Sequence, residues 1–278
     1  MEITNKEIIW NGTYNTSTST SNKQAYYLSH WGLGDNITSI GAINFLLEHY
    51  DTIYFMCRDI YKENVELIFL NKPVIAVPYV FDNNYKENCA NIINNVDKNK
   101  YDILICGTHN DYLKSHITNQ GLLKYEKNTK YTTHHNHIFA FYNDIGLDLS
   151  IYFEYFDIPS SDISIQYYNA IKEYKIVFLH TIGSNRYIDL SHIIQQYRNR
   201  DEYIIICADK NVYDQSHPKY NIAEKYVNIK IVYYIDLIKH ASIIHIVNSC
   251  FECIVYPLLM MNRIQPEECK IYPGIGGW

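Results

Sequence analysis

Nowhere in this chain do five or more Lys and Arg residues run together, and acidic residues outnumber basic ones, 30 against 24. Nucleic-acid binders normally carry a basic stripe that neutralises phosphates, so this balance argues against one. No run of eighteen apolar residues occurs, so no membrane span is expected. The opening segment "MEITNKEIIWNGTYNTSTSTSNK" has no apolar core of the kind a signal peptide needs. Its glycosylation-like triplets at Asn11 and Asn15 therefore read as chance matches. Charged residues are scarce at 19% against 47% hydrophobic ones, which excludes global disorder and leaves ample material for a core. The 7 cysteines are odd in number and scattered through apolar runs, which fits reduced thiols in a cytoplasmic setting. Cys250 and Cys253 form a lone C-x-x-C without a second pair and read as core residues on the first turns of a helix. No D-x-D with strand context is present, so no metal held by a carboxylate pair is expected.

What the chain does have is an alternation. With 278 residues it can form one large domain or two smaller ones. "AYYLSH" (25–30) reads as a strand, and 35–50 as a helix with Ile37, Ile40, Ile43, Leu46 and Leu47 on one face. "TIYFMC" (52–57), "VIAVPYV" (74–80) and "YDILICG" (101–107) read as buried strands, and "NVELIFL" as a short helix. The pattern restarts with the strand "KIVFLH" (175–180), the polar turn "TIGSNR", and a helix to about Tyr197. The strands "YIIICAD", "VNIKIVYY" and "IIHIVN" follow, the last leading into a helix opened by Ser249. The expected fold is α/β, with two Rossmann-like parallel-sheet domains facing a cleft. Their spans are 1–145 and 174–278, with a connecting segment at 146–173 broken at Pro159–Ser161. Ligands of such sheets bind beyond the carboxyl ends of the strands. His30 and His180 each end the first strand of a half.

The turn "HWGLGDN" has Gly32 and Gly34 but lacks the third glycine of a dinucleotide fingerprint, and Asp35 stands where pyrophosphate would lie. Two readings of Asp35 remain. It is a helix N-cap, or it is a carboxylate at a rigid corner that takes a proton from an attacking hydroxyl. The cluster His134-His135-Asn136-His137 reads as an exposed loop, an acceptor-facing loop, or a metal pair formed by His135 and His137 at strand spacing.

"HWGLGDNITSIGAINFL" resembles the N-terminal motif of the lipopolysaccharide heptosyltransferase family and related GT-B glycosyltransferases, with Gly34-Asp35 and Gly41-Ala42 at the matching places. His30, Gly32, Leu33, Gly34 and Asp35 also match the His-x-Gly-Leu-Gly-Asp start of certain bacterial and giant-virus proteins. The resemblance implies that Asp35 is the catalytic base, with His30, Gly32, Gly34 and Asn36 beside it on the acceptor side. In the second half "KIVFLHTIGSNR" resembles the first strand and turn of a donor-binding domain, and "IIHIVNSCFECIVYPL" its late strand–Ser–helix element. His180, Thr181, Gly183, Ser184, Arg186, Asn248, Ser249, Cys250 and Glu252 are then expected to meet the donor. Arg186 and His180 are the candidate cations for the leaving diphosphate. The expected activity is metal-independent, inverting transfer of a sugar from a nucleotide-sugar to a glycan or glycoprotein hydroxyl, with no cofactor. The alternatives are a catalytically silent GT-B-like glycan-binding or scaffolding module, and another enzyme of the same architecture, such as a sugar-nucleotide epimerase or an enzyme using a nicotinamide cofactor.

Overall fold

The computed structural model describes residues 23–29, 31–107, 136–184 and 186–273. The backbone divides into two compact units, Met1–Glu66 with Asn71–Asp157, and Ile158–Trp278 with Leu67–Leu70.

In the first unit β1 (Gln24–Leu28), β2 (Thr52–Arg58), β3 (Val74–Tyr79) and β4 (Tyr101–Ile105) form one parallel sheet in the order β3-β2-β1-β4. The period of two along a strand sends alternate side chains to opposite faces. Tyr27 and Phe55 pair across β1 and β2 and stack at 5.4 Å on one face. Leu28, Met56, Ile103 and Ile105 fill the other, packed with Cys89 and Ile93 of the Tyr85–Asn94 helix. Each such aliphatic side chain stabilises the fold by about 1.5–3 kcal/mol. β3 is not the buried strand its apolar sequence suggests. It lies at the sheet edge, where Pro78 is tolerated, and Ile75 is 48% exposed.

The helix expected over 35–50 is two helices, Leu33–Thr38 and Ile40–Leu46, broken at Ser39. The cause is side-chain chemistry. Thr38 Oγ1 donates back to the Gly34 carbonyl and Ser39 Oγ to that of Asp35, both at 2.9 Å, a habit that bends helices. Tyr142, fully buried, then donates its hydroxyl to the Thr38 carbonyl at 2.7 Å and accepts the Ala42 N–H at 3.3 Å. That oxygen occupies the place of the bond a continuous helix would make between the two groups. Gly41 lets the neighbouring chain approach, since a Cβ there would lie 2.6 Å from the Ile151 carbonyl oxygen.

The second unit holds β5 (Lys175–His180), β8 (Tyr203–Cys207), β9 (Ala241–Val247) and β10 (Glu268–Tyr272), parallel in the order β10-β9-β5-β8. All five residues of β8 are buried, as expected of a strand covered on both faces. "TIGSNR" is not a simple turn but a small hairpin of β6 (Ile182–Gly183) and β7 (Arg186–Tyr187). "VNIKIVYY" is not a strand: Asn228 takes a left-handed φ of 54°, and Ile231–Tyr234 form a 3-10 turn running into the Ile235–Lys239 helix. A short apolar run fits a buried helical turn as well as a strand. The break at Pro159–Ser161 is a helix start, where Ser161 Oγ accepts the Ser164 N–H at 3.1 Å. Buried Asp236 receives the hydroxyls of Ser160 and Ser164.

Among the described residues no helix is long and apolar enough to cross a membrane.

Candidate active site

Each sheet switches winding direction beside its first strand, and open α/β sheets bind ligands at that crevice. In the first unit the turn after β1 lies there. Asp35 is the third residue of the Leu33–Thr38 helix and not its N-cap, which is Gly32. Its Oδ2 accepts the Gly32 N–H at 2.7 Å, so the carboxylate is held by a backbone donor at the helix start. A Cβ at residue 32 would approach that oxygen to 2.9 Å, so a larger residue there would displace the carboxylate. Asn36 is buried: its Oδ1 accepts the Ser29 hydroxyl at 3.0 Å, while its Nδ2 has no hydrogen-bond partner among the described residues. Gly34 contributes its carbonyl to Thr38. His30 lies outside the described residues, as do Asn11, Asn15 and the side chains of the His134–His137 cluster.

Several neighbours went unnoticed in the sequence. Tyr79 ends β3; burial pushes its phenol well up, Cys89, Cys57 and lastly Asp35 add to the rise, and Arg58 opposes it. Arg58 ends β2 with its guanidinium 4.1 Å from the Phe81 ring centroid and 5.2 Å from that of Tyr61. Trp31, Phe81 and Tyr85 contact one another, with the Trp31–Tyr85 centroids 4.6 Å apart. The available signal was position, since Arg58 and Tyr79 both stand at carboxyl ends of strands.

In the second unit the switch falls between β5 and β9, and beyond the strand ladder a side-chain hydrogen bond crosses it. His180 Nδ1 lies 3.0 Å from Ser249 Oγ. The Nε2 of the same ring lies 3.2 Å from Asp209 Oδ1. The other oxygen of Asp209 accepts the Thr181 N–H, the Thr181 hydroxyl at 3.0 Å and the Ile182 N–H at 3.2 Å. Burial alone would raise the Asp209 pKa, but the His180 and Thr181 donors outweigh it and hold the carboxyl below its ordinary value. Asp209 was read only as the end of the strand "YIIICAD".

Gly183 comes close to the same place, since a Cβ there would lie 3.2 Å from the Asn248 carbonyl oxygen. Asn248 donates its N–H to the Tyr272 carbonyl at 2.8 Å. Ser249 Oγ accepts the Phe251 N–H at 3.3 Å, and the Ser249 carbonyl accepts the Glu252 N–H, which opens the Glu252–Met260 helix. Cys250 sits in that opening turn, its thiol pushed up by burial to about 11. Glu252 is buried on the first turn. His180, Thr181, Gly183, Asn248, Ser249 and Cys250 are thus gathered at one end of the second sheet. Ser184 is exposed at the hairpin tip, and Arg186 turns its Nη1 to the Pro273 carbonyl at 3.2 Å.

Comparison with protein-family models and with curated proteins gives no match. Among solved structures the chain is similar to the ADP-heptose LPS heptosyltransferase II of E. coli, with a TM-score of 0.57 and 9% identity over 92% of this chain and 91% of that one. It is also similar to a family 9 glycosyl transferase of Veillonella parvula, with a TM-score of 0.50 and 12% identity over 84% of this chain and 77% of that one. The paired parallel-sheet α/β fold of this chain is therefore the fold of these GT-B-like glycosyltransferases.

Proposed function

We propose that this chain is a glycosyltransferase that moves a sugar from a nucleotide-sugar donor to a hydroxyl of a glycan or glycoprotein acceptor. The observation that carries the reading is the corner after β1, where a half-buried carboxylate is fixed by the Gly32 N–H in a fold shared with a heptosyltransferase. Asp35 takes the acceptor proton as the hydroxyl attacks the anomeric carbon, and inversion follows from a single displacement. The first unit serves the acceptor and the second the donor.

The leaving diphosphate develops negative charge, which the Ser249 hydroxyl, the Cys250 N–H and Arg186 are suited to meet without a metal. ADP-sugars are the first donors to test, since one similar structure is an ADP-heptose enzyme.

A thermal-shift panel of ADP, GDP, UDP and their sugars tests the binding half. A ligand at 100 times its Kd adds about 2.7 kcal/mol of stability, and no shift from any of them sinks the reading. Asp35→Asn tests the chemistry. Turnover of the bound donor should fall about 10²–10⁴-fold with its affinity unchanged. Unchanged turnover would remove Asp35 from the mechanism, and glycan binding without turnover would mark a silent module.

A further inference from the structure

Three side chains of the second unit form one hydrogen-bonded line. Asp209 Oδ1 meets His180 Nε2, and His180 Nδ1 meets Ser249 Oγ, at 3.2 and 3.0 Å. His180 is 7% exposed, and its ring packs on Phe251 with centroids 4.5 Å apart. Ser249 is only half-buried. An ionised carboxylate only accepts hydrogen bonds, so the Nε2 of His180 carries the hydrogen that faces Asp209. Nδ1 then has two states with opposite consequences. Bare, it takes the Ser249 hydroxyl hydrogen, and that oxygen turns lone pairs to any ligand. Protonated, it donates to Ser249 Oγ, and the hydroxyl hydrogen is released to point at an anion. Phe251 N–H donates to the same oxygen in both states.

We propose that Ser249, His180 and Asp209 are a proton relay to the diphosphate of the donor, in which Ser249 touches a phosphate oxygen and His180 and Asp209 position and charge it. The proposal rests on the nucleotide-sugar reading above. As the bond from the anomeric carbon to the phosphate oxygen breaks, its electron pair stays on that oxygen. The Ser249 proton moves to the oxygen, and the Nδ1 proton moves to Ser249. His180 is left neutral, with its Nε2–H still on Asp209. Other titratable groups surround the line. Cys207 from β8, Cys250 from the turn before the helix and Tyr234 from the 3-10 turn are all raised by burial, and so stay neutral there. Lys210, next to Asp209, Arg186, in the β6–β7 hairpin, and Glu252, on the first helical turn, are charged groups of the adjoining segments.

The test is calorimetric titration with ADP-glucose, GDP-glucose and UDP-glucose in buffers of different ionisation enthalpy, from about pH 5.5 to 8.5. Their diphosphodiesters do not titrate near neutrality, so any proton taken up goes to the protein. The wild type should take up a fraction of a proton that rises toward one with pH, with affinity falling toward tenfold per pH unit. His180→Gln keeps a partner for Ser249 but cannot titrate; it should bind without proton uptake and with a flat pH profile. Ser249→Ala should lose the uptake as well, and thermal melting confirms that both variants are folded. Binding without uptake in the wild type, or uptake that survives in His180→Gln, overturns the relay and leaves the transferase reading standing. Failure of all three donors to bind at every pH removes both.

Discussion

Asp209 accepts the Thr181 N–H and hydroxyl, the Ile182 N–H and, at 4.0 Å, the Cys207 thiol on one oxygen and faces His180 with the other, although it is only two residues beyond the end of β8. Replacing it with Asn exchanges an acceptor for an amide that cannot satisfy all of these donors. The expected loss is about 1–3 kcal/mol at neutral pH. The loss should depend on pH in a definite direction. The folded-state pKa lies below the ordinary value, so the stabilisation is complete above the unfolded-state pKa of about 3.9 and fades as pH falls through the folded one. Chemical denaturation of wild type and Asp209→Asn should therefore converge on acidification below about pH 4. A gap that persists there would assign the residue a purely steric role. The two carboxylates also show what a sequence exposes. Asp35 stood out because Gly32 and Gly34 precede it. Asp209 did not, because its partners at 180–182 are remote in sequence and nothing local marks them as donors.

At the scale of elements, the β1 turn and the alternation of strands and helices were legible because period and β-branched runs are local signals. The break at Ser39 was not, since its cause sits at Tyr142. Tyr142→Phe removes the oxygen that serves both Thr38 and Ala42 and should cost about 1–3 kcal/mol. Gly41→Ala should cost at least as much, because its methyl would meet backbone of Ile151 and Tyr152 that cannot swing aside. Denaturant melts measure both, and a neutral Tyr142→Phe would show that the bend stands on Thr38 and Ser39 alone. β10 was missed because "ECKIY" mixes polar residues into an edge strand, where one face need not be apolar. "VNIKIVYY" was misread for the converse reason, a run apolar enough for either state.

For the whole molecule, the two sheets differ in winding. The first runs β3-β2-β1-β4, and the second places β5 between β8 and β9. Each nevertheless presents its first strand at the switch point, so each offers one crevice of its own. The assignment of donor to the second unit predicts a map of hydrogen exchange. A bound nucleotide-sugar should slow amides in 181–187 and 248–252 and leave those in 31–39 little changed. Protection confined to 31–39 would reverse the assignment of the two units.

Tyr142 reaches its helix across 104 residues of chain. During synthesis the segment carrying Asp35 leaves the ribosome long before that hydroxyl exists. A nascent chain can thus display the whole Gly-x-Gly-Asp signature while the bend behind it is still unfinished. Closing so long a loop precedes the gain from the contact it makes, which is the slow part of assembling such topologies. The corner is completed late, by a residue that no reading of the motif itself would include.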